Sequence, residues 1–242
     1  MLILVDNNII GNAYVKRILN LSAIYAIVSV SMNLVNGFTG LFSLGQAGFM
    51  AIGAFTVAVF TVPVELRSSI FYIKPMAPWL INIELPFFAA LLLGGIISAL
   101  AALIIGWPVL RLKSDYLAIA TLGFSEIIRI TFTNTQSITN GALGINRIPG
   151  IKTMWLPFGV AAICIGIMLL LINSSYGRAF KAIREDEVAA EAMGINLAKH
   201  KALSFAVSAF FTGIAGGLFA SLLTTVDPKQ FYFTLTLSLI HI

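Results

Sequence analysis

PFFAALLLGGIISALAALIIGWPVL, residues 86 to 110, runs for 25 positions without a charged side chain. A bilayer core is crossed by about 20 apolar residues in a helix, so the stretch reads as a membrane span. Its small residues are ordered: Gly94, Ser98, Ala102 and Gly106 recur at every fourth position and form one ridge. Lipid tails give apolar helices no hydrophobic reason to associate, and close backbone approach along such ridges is how they pack. The expectation is a helix that crosses the membrane and leans on a neighbour.

The pattern recurs outward from this stretch. Apolar runs at 18–36, 41–62, 116–133, 155–172 and 203–224 bring the expected total to six spans. Two of them carry further ridges, Ser43–Ala47–Ala51 and Ser204–Ser208–Thr212–Gly216–Ala220, the latter flanked by Gly213, Gly217 and Ser221. Of 242 residues, 59% are hydrophobic and 10% charged, against about half and about a quarter in soluble domains. Ten-residue alternating segments are missing, and backbone in lipid must be satisfied within helices or closed barrels. The expected fold is all-α, a polytopic transmembrane helix bundle forming one domain over residues 1–242.

The lone Cys164 excludes an internal disulfide and a cysteine cluster. MLILVDNN at the start has neither a basic region nor a small-residue cleavage site, so no removable signal peptide is expected. The net charge of +5 comes from basic residues at span ends, where they orient a membrane protein; nucleic acid is not an expected partner.

NSSYGRAFKAIREDEVAAEAMGINLAKHK, residues 173–201, holds Arg178, Lys181, Arg184, Lys199 and Lys201, more basic residues than any other loop. The positive-inside bias assigns it to the cytoplasm, as it does Arg111 and Lys113 by parity, leaving 63–85 and 134–154 outside. Simple alternation then puts Lys16 and Arg17 outside, against their preference. The favoured reading is that NGFTG, residues 36–40, marks a segment that does not fully cross; the other is that the large loop overrides the N-terminal pair.

Within that loop, residues 185–194 are expected to form a short helix. Val188, Ala189, Ala192, Met193 and Ile195 cover one arc, Glu187 and Glu191 the other. Glu185, Asp186 and Glu187 suit the positive end of its dipole, and Gly194 with Asn196 ends it. So short a helix needs a support. Its acidic polar face disfavours anionic lipid, which leaves a protein groove as the expected partner.

The spacing Glu187, Ala189, Ala190, Glu191, Gly194 resembles the E-x-A-A-E-x-x-G loop of bacterial ABC-importer permeases. SYGRAFKAIREDE and GINLAKHK around it, with NLVNGFTGLFSLGQAGFMAIGAF and SDYLAIATLGFSEIIRI elsewhere, resemble the branched-chain amino-acid permeases of LivM type over residues 18–233. The resemblance implies a membrane subunit of an ATP-driven importer for branched-chain or related apolar amino acids, in a bacterial plasma (inner) membrane. It implies a coupling loop at 173–202 that docks on cytoplasmic ABC ATPase subunits, through Glu187, Ala189, Ala190, Glu191 and Gly194 with Arg178 and Arg184 flanking. A second homologous permease subunit and an extracytoplasmic amino-acid-binding protein are the other implied partners, beside the lipid bilayer. ATP and Mg are expected on the partner ATPase, with no cofactor in this chain, which has no G-x-x-x-x-G-K-[ST] phosphate loop. Family members continue with further helices after the equivalent of Phe231, so FTLTLSLIHI at 233–242 reads either as a truncated C-terminus or as ending in residues that are not native sequence.

At membrane depth, Glu126 and Arg129 stand one turn apart and Ser43 and Gln46 lie at the head of the second span. Intramembrane charges are functional candidates, and these four are the candidates for the translocation path or its gate; an i,i+3 ion pair and an interhelical tie are their plainer readings. TNGALGINRIPG, residues 139–150, with Thr139, Gly141 and Gly144, reads as a tight external turn. His200 and His241 have no metal-ligand spacing. The alternatives are an ion-coupled secondary transporter, for which only Glu126 is a buried-acid candidate, and an ABC permease for urea, amides or other amino acids. No cluster suits an intramembrane enzyme.

Overall fold

The computed structural model describes residues 13–112, 114–151 and 153–240. The MLILVDNN stretch, Lys113 and His241 lie outside them. Helix α1 (Ala13–Asn33) continues through a π-turn, Leu34–Phe38, and is followed by α2 (Gln46–Thr61), α3 (Val64–Ile70) and α4 (Phe87–Val109). Then come α5 (Ser114–Asn134), the single turn α6 (Gln136–Thr139) and α7 (Trp155–Asn173). A cytoplasmic pair, α8 (Ser175–Glu185) and α9 (Glu187–Ala192), leads into α10 (Leu197–Leu223) and α11 (Phe233–Ile240). Among the described residues, 5 helices are long and apolar enough to cross a membrane, and α2 with α3, bent by 116°, makes a sixth candidate. The bend falls at Pro63, whose ring excludes helical geometry at Val62, and Val62 is extended at φ −66°, ψ 127°.

The small-residue ridges lie where helices touch. α10 sits at the centre, packed on α4, α2 and α1. A Cβ on Gly53 of α2 would collide with the backbone of Gly213 in α10, and one on Gly216 would strike the Met50 carbonyl. Ser98 of α4 fits beside Gly213 and donates to the Phe49 carbonyl at 3.1 Å. Ser204, Ser208, Thr212 and Ala220 are all 0% exposed.

The two ends of the bundle are distinct. At one end the connections after α3, α5 and α10 meet: Ala77 N donates to Ser137 O at 3.0 Å, and Ile145 pairs with Val226 through an isolated bridge. At the other, Arg184 Nη1 donates to the Gly37 carbonyl at 3.1 Å and Lys181 lies over the Phe38 ring. The basic loop assigns this second end to the cytoplasm.

The expectation that NGFTG marks an incomplete crossing needs correction. Tyr14–Phe38 is one apolar helix of 25 residues, long enough to cross at about 1.5 Å per residue. NGFTG is the turn at its cytoplasmic end: Thr39 Oγ1 donates to Leu34 O at 2.9 Å, and Asn36 Oδ1 accepts from Ser43 N at 3.1 Å. Lys16 and Arg17 therefore stand at the far end of that helix from Arg184, the arrangement that the other reading of the large loop requires. The second span also starts later than expected, its helix beginning at Gln46 after an irregular 41–45.

Candidate functional site

The loop over 173–201 holds two helices where one was expected over 185–194. α8 turns Gly177, Ala179, Phe180 and Ile183 inward and ends at Glu185. Asp186 then leaves helical geometry at φ −159°, and its Oδ1 accepts from Val188 N at 2.8 Å and Ala189 N at 3.1 Å. The acidic triplet is thus split: Glu185 closes α8, Asp186 caps α9 and Glu187 opens it. Satisfying two otherwise orphaned amides is the reason an aspartate breaks the helix here.

α9 ends as its glycine requires. Gly194 takes φ +83°, its N–H donates to Glu191 O at 2.9 Å, and Ile195 N donates to Ala190 O at 3.1 Å, a paired closure that a left-handed residue permits. Asn196 belongs to the next element, capping α10 by accepting from Lys199 N at 3.0 Å. Ala190 is 4% exposed and faces its own chain, whereas Val188 at 78% and Met193 at 83% stand out into solvent with Ala189 and Ala192. Arg178 is bonded to Ser175 Oγ at 2.9 Å, and Arg184 braces Glu185 as well as Gly37. The loop thus presents an exposed apolar patch beside the exposed Glu191.

Gln46 is a buried tie. At 1% exposure, its Nε2 donates to Ser208 Oγ at 3.0 Å and its Oε1 accepts from Thr212 Oγ1 at 2.7 Å. Ser208 in turn donates to Ser31 O at 2.6 Å, and Ser31 Oγ lies 2.8 Å from Thr212 Oγ1. α1, α2 and α10 are joined by this one cluster. Ser43, also fully buried, is clamped by Asn36 through both backbone groups. Amides at the head of α2 are met from elsewhere in the chain: Leu44 N, just before the helix, by Thr121 Oγ1 at 2.9 Å, and Ala47 N, within it, by Thr236 Oγ1 at 3.1 Å.

Glu126 and Arg129 form an i,i+3 ion pair on α5, with side chains 34% and 16% exposed, and the guanidinium stacks 4.4 Å over the Tyr232 ring. They face the segment after residue 231, while Gln46 faces α10. None of the four path candidates lines the cavity of about 500 Å³ between α2, α4 and α5, whose walls include Ile52, Phe55, Ile97, Ile128 and Phe132. Its threonines Thr56, Thr131 and Thr139 donate their hydroxyl protons to backbone carbonyls, and the rest of the walls named above is apolar.

The external turn is held internally. Asn140, Gly141 and Gly144 take φ of 59°, 61° and 68°, and a Cβ at Gly144 would strike Val226 O. Asn140 Nδ2 donates to Gly144 O at 2.9 Å.

Two residues escaped the sequence reading. Arg67 is 1% exposed and donates five times to carbonyls: Val62 twice at 3.1 Å, Leu80 at 2.6 Å, Ile81 at 3.0 Å and Ile83 at 2.7 Å. Lys201, read only as an orienting charge, lies buried and pairs with Glu187 at 2.6 Å. A lone basic residue in a loop of many carries no periodic signal; only the contrast of Arg67 with its apolar neighbours Leu66 and Ile70 hinted at burial.

Comparison with known proteins places these features in context. A family described as branched-chain amino acid transport system / permease component matches residues 14–242. The high-affinity branched-chain amino acid transport system permease protein LivM of Salmonella typhimurium is 35% identical over 250 residues, covering 89% of this chain and 54% of that protein. Its Escherichia coli counterpart is 34% identical over the same shares, 89% and 54%. The probable branched-chain amino acid transport permease protein LivM of Methanocaldococcus jannaschii is 25% identical, covering 92% of this chain and 74% of the relative. The chain thus spans about half the length of the two bacterial relatives. No solved structure matches it.

Proposed function

The chain belongs to the branched-chain amino-acid transport permease family, and from that premise we propose that it is the membrane-spanning part of an ATP-driven importer subunit. It carries branched-chain or related apolar amino acids across a bacterial plasma membrane, received from an extracytoplasmic binding protein. ATP and Mg are bound by separate cytoplasmic ATPase subunits. The observation that carries this reading is α9, whose exposed Val188 and Met193 form the kind of short apolar anchor that seats in a groove of a partner. Closure of the ATPases moves α9 and with it the bundle, so access alternates between the two sides.

Glu126 and Arg129 border the path. A partly exposed charge pair is costly against hydrocarbon, so this face of α5 looks onto water or onto a second, homologous permease subunit. Gln46 and Ser43 hold together the helices that frame the path. An ion-coupled carrier would need an acid that cycles its proton, and Glu126 is held by Arg129. Gentle purification of the full-length protein should recover an ATP-hydrolysing subunit with it; recovery of none, under conditions that keep other importers whole, overturns the reading.

A further inference from the structure

We propose that Lys201 is the positioning residue through which α9 acts on the central helix α10, an inference that rests on the reading of α9 as the helix that docks on the ATPase. Lys201 Nζ donates to Glu187 Oε2 at 2.6 Å, with the lysine side chain 10% exposed and the glutamate 51%. Among the described residues, this is the one side-chain hydrogen bond from α9 to another helix. Ala190, 4% exposed, is the buried side chain of α9.

On the α10 side, Lys201 heads a single stripe. Lys201, Ser204, Ser208 and Thr212 recur at helical spacing on one face. Ser204 Oγ donates back to the Lys201 carbonyl at 3.0 Å. Ser208 reaches the Ser31 carbonyl in α1, and Thr212 reaches Gln46 in α2. The face of α10 that receives α9 at the cytoplasmic end is therefore the face that ties α1 and α2 deep in the bundle. A displacement of Glu187 is delivered to the helix whose polar side chains hold two other spans. The pair is also hard to break: removing the carboxylate strands an ammonium that is almost out of water, a costly state for a buried charge.

The test uses the full-length permease with its partner subunits in liposomes, reading substrate moved per ATP hydrolysed together with the yield of assembled complex. Lys201→Met should lower that ratio by about five-fold or more, the scale of a typical coupling between sites, while Lys201→Arg, which keeps the charge and reach, holds most of it. A merely structural lysine would lower yield and uptake together and leave the ratio where it was; that result overturns the proposal. If Lys201→Met assembles poorly, Lys201→Glu is compared with the double variant carrying Glu187→Lys. Recovery of the ratio in the double variant supports the proposal, and no recovery overturns it. Absence of any ATP-hydrolysing subunit beside the parent protein overturns the reading of α9 and this inference with it; an unchanged ratio in Lys201→Met overturns this inference alone.

Discussion

Gly53 of α2 and Gly213 of α10 meet backbone to backbone, with no room between them for a single side-chain carbon. Gly53→Ala should therefore overpack the centre of the bundle and cost about 1–3 kcal/mol. Gly159→Ala and Gly166→Ala, in α7 where no atom lies within 4 Å of the added carbon, should be neutral or mildly stabilising by the helix preference of alanine. Thermal unfolding of the purified variants in one detergent separates the two cases.

Gln46→Leu should loosen the junction of α1, α2 and α10. Ser208 and Thr212 each lose a partner in a buried site, at roughly 1 kcal/mol apiece. Uptake should fall in proportion to the amount of folded protein. A variant that folds and assembles normally yet fails to transport would instead make the amide a contact of the substrate.

Arg67→Met should free the external segment around residues 80–83 from α3. Several carbonyls lose their donor at about 1–3 kcal/mol each when left buried. Arg67→Lys should rescue little, since one ammonium cannot copy a planar fork of five N–H groups. Limited proteolysis from the outer side reads the release directly, with faster cleavage between Ile73 and Ile83 expected in both variants.

Met193→Glu should leave the bundle intact and remove its partner. The side chain is 83% exposed, so the change in unfolding free energy should stay within about 0.5 kcal/mol. Co-purification of the ATP-hydrolysing subunit should be lost, because a carboxylate replaces an apolar anchor in a desolvated groove.

Much of the architecture was legible because a membrane makes demands that composition must meet. The run at 86–110 became α4 at Phe87–Val109, and 155–172 became α7 at Trp155–Asn173. The ridge positions Gly94, Ser98 and Gly216 turned out to be contacts, since backbone approach needs small residues wherever it occurs. Turn chemistry is partly legible: Gly194 ends a helix as expected, but Asp186, expected in the first turn of one helix, is the cap that divides two. Pairings across the chain were not legible. Glu187 meets Lys201 14 positions on, and Arg67 meets carbonyls at 80, 81 and 83; no period in a sequence encodes a partner on another element. The assignment of Glu126 and Arg129 to a path rested on their chemistry, and the structure adds Tyr232 as the neighbour that fixes the arginine.

The bond from Ala47 N to Thr236 Oγ1 joins residues 189 positions apart. In a chain made from its N-terminus, α2 enters the membrane long before the hydroxyl that completes its first turn has been synthesised. At about 5–20 residues per second, the wait is roughly 10–40 s. During that interval the amide must find water, lipid headgroups or an insertion factor, so biogenesis of this bundle contains a built-in delay. α11 closes α2 from across the chain.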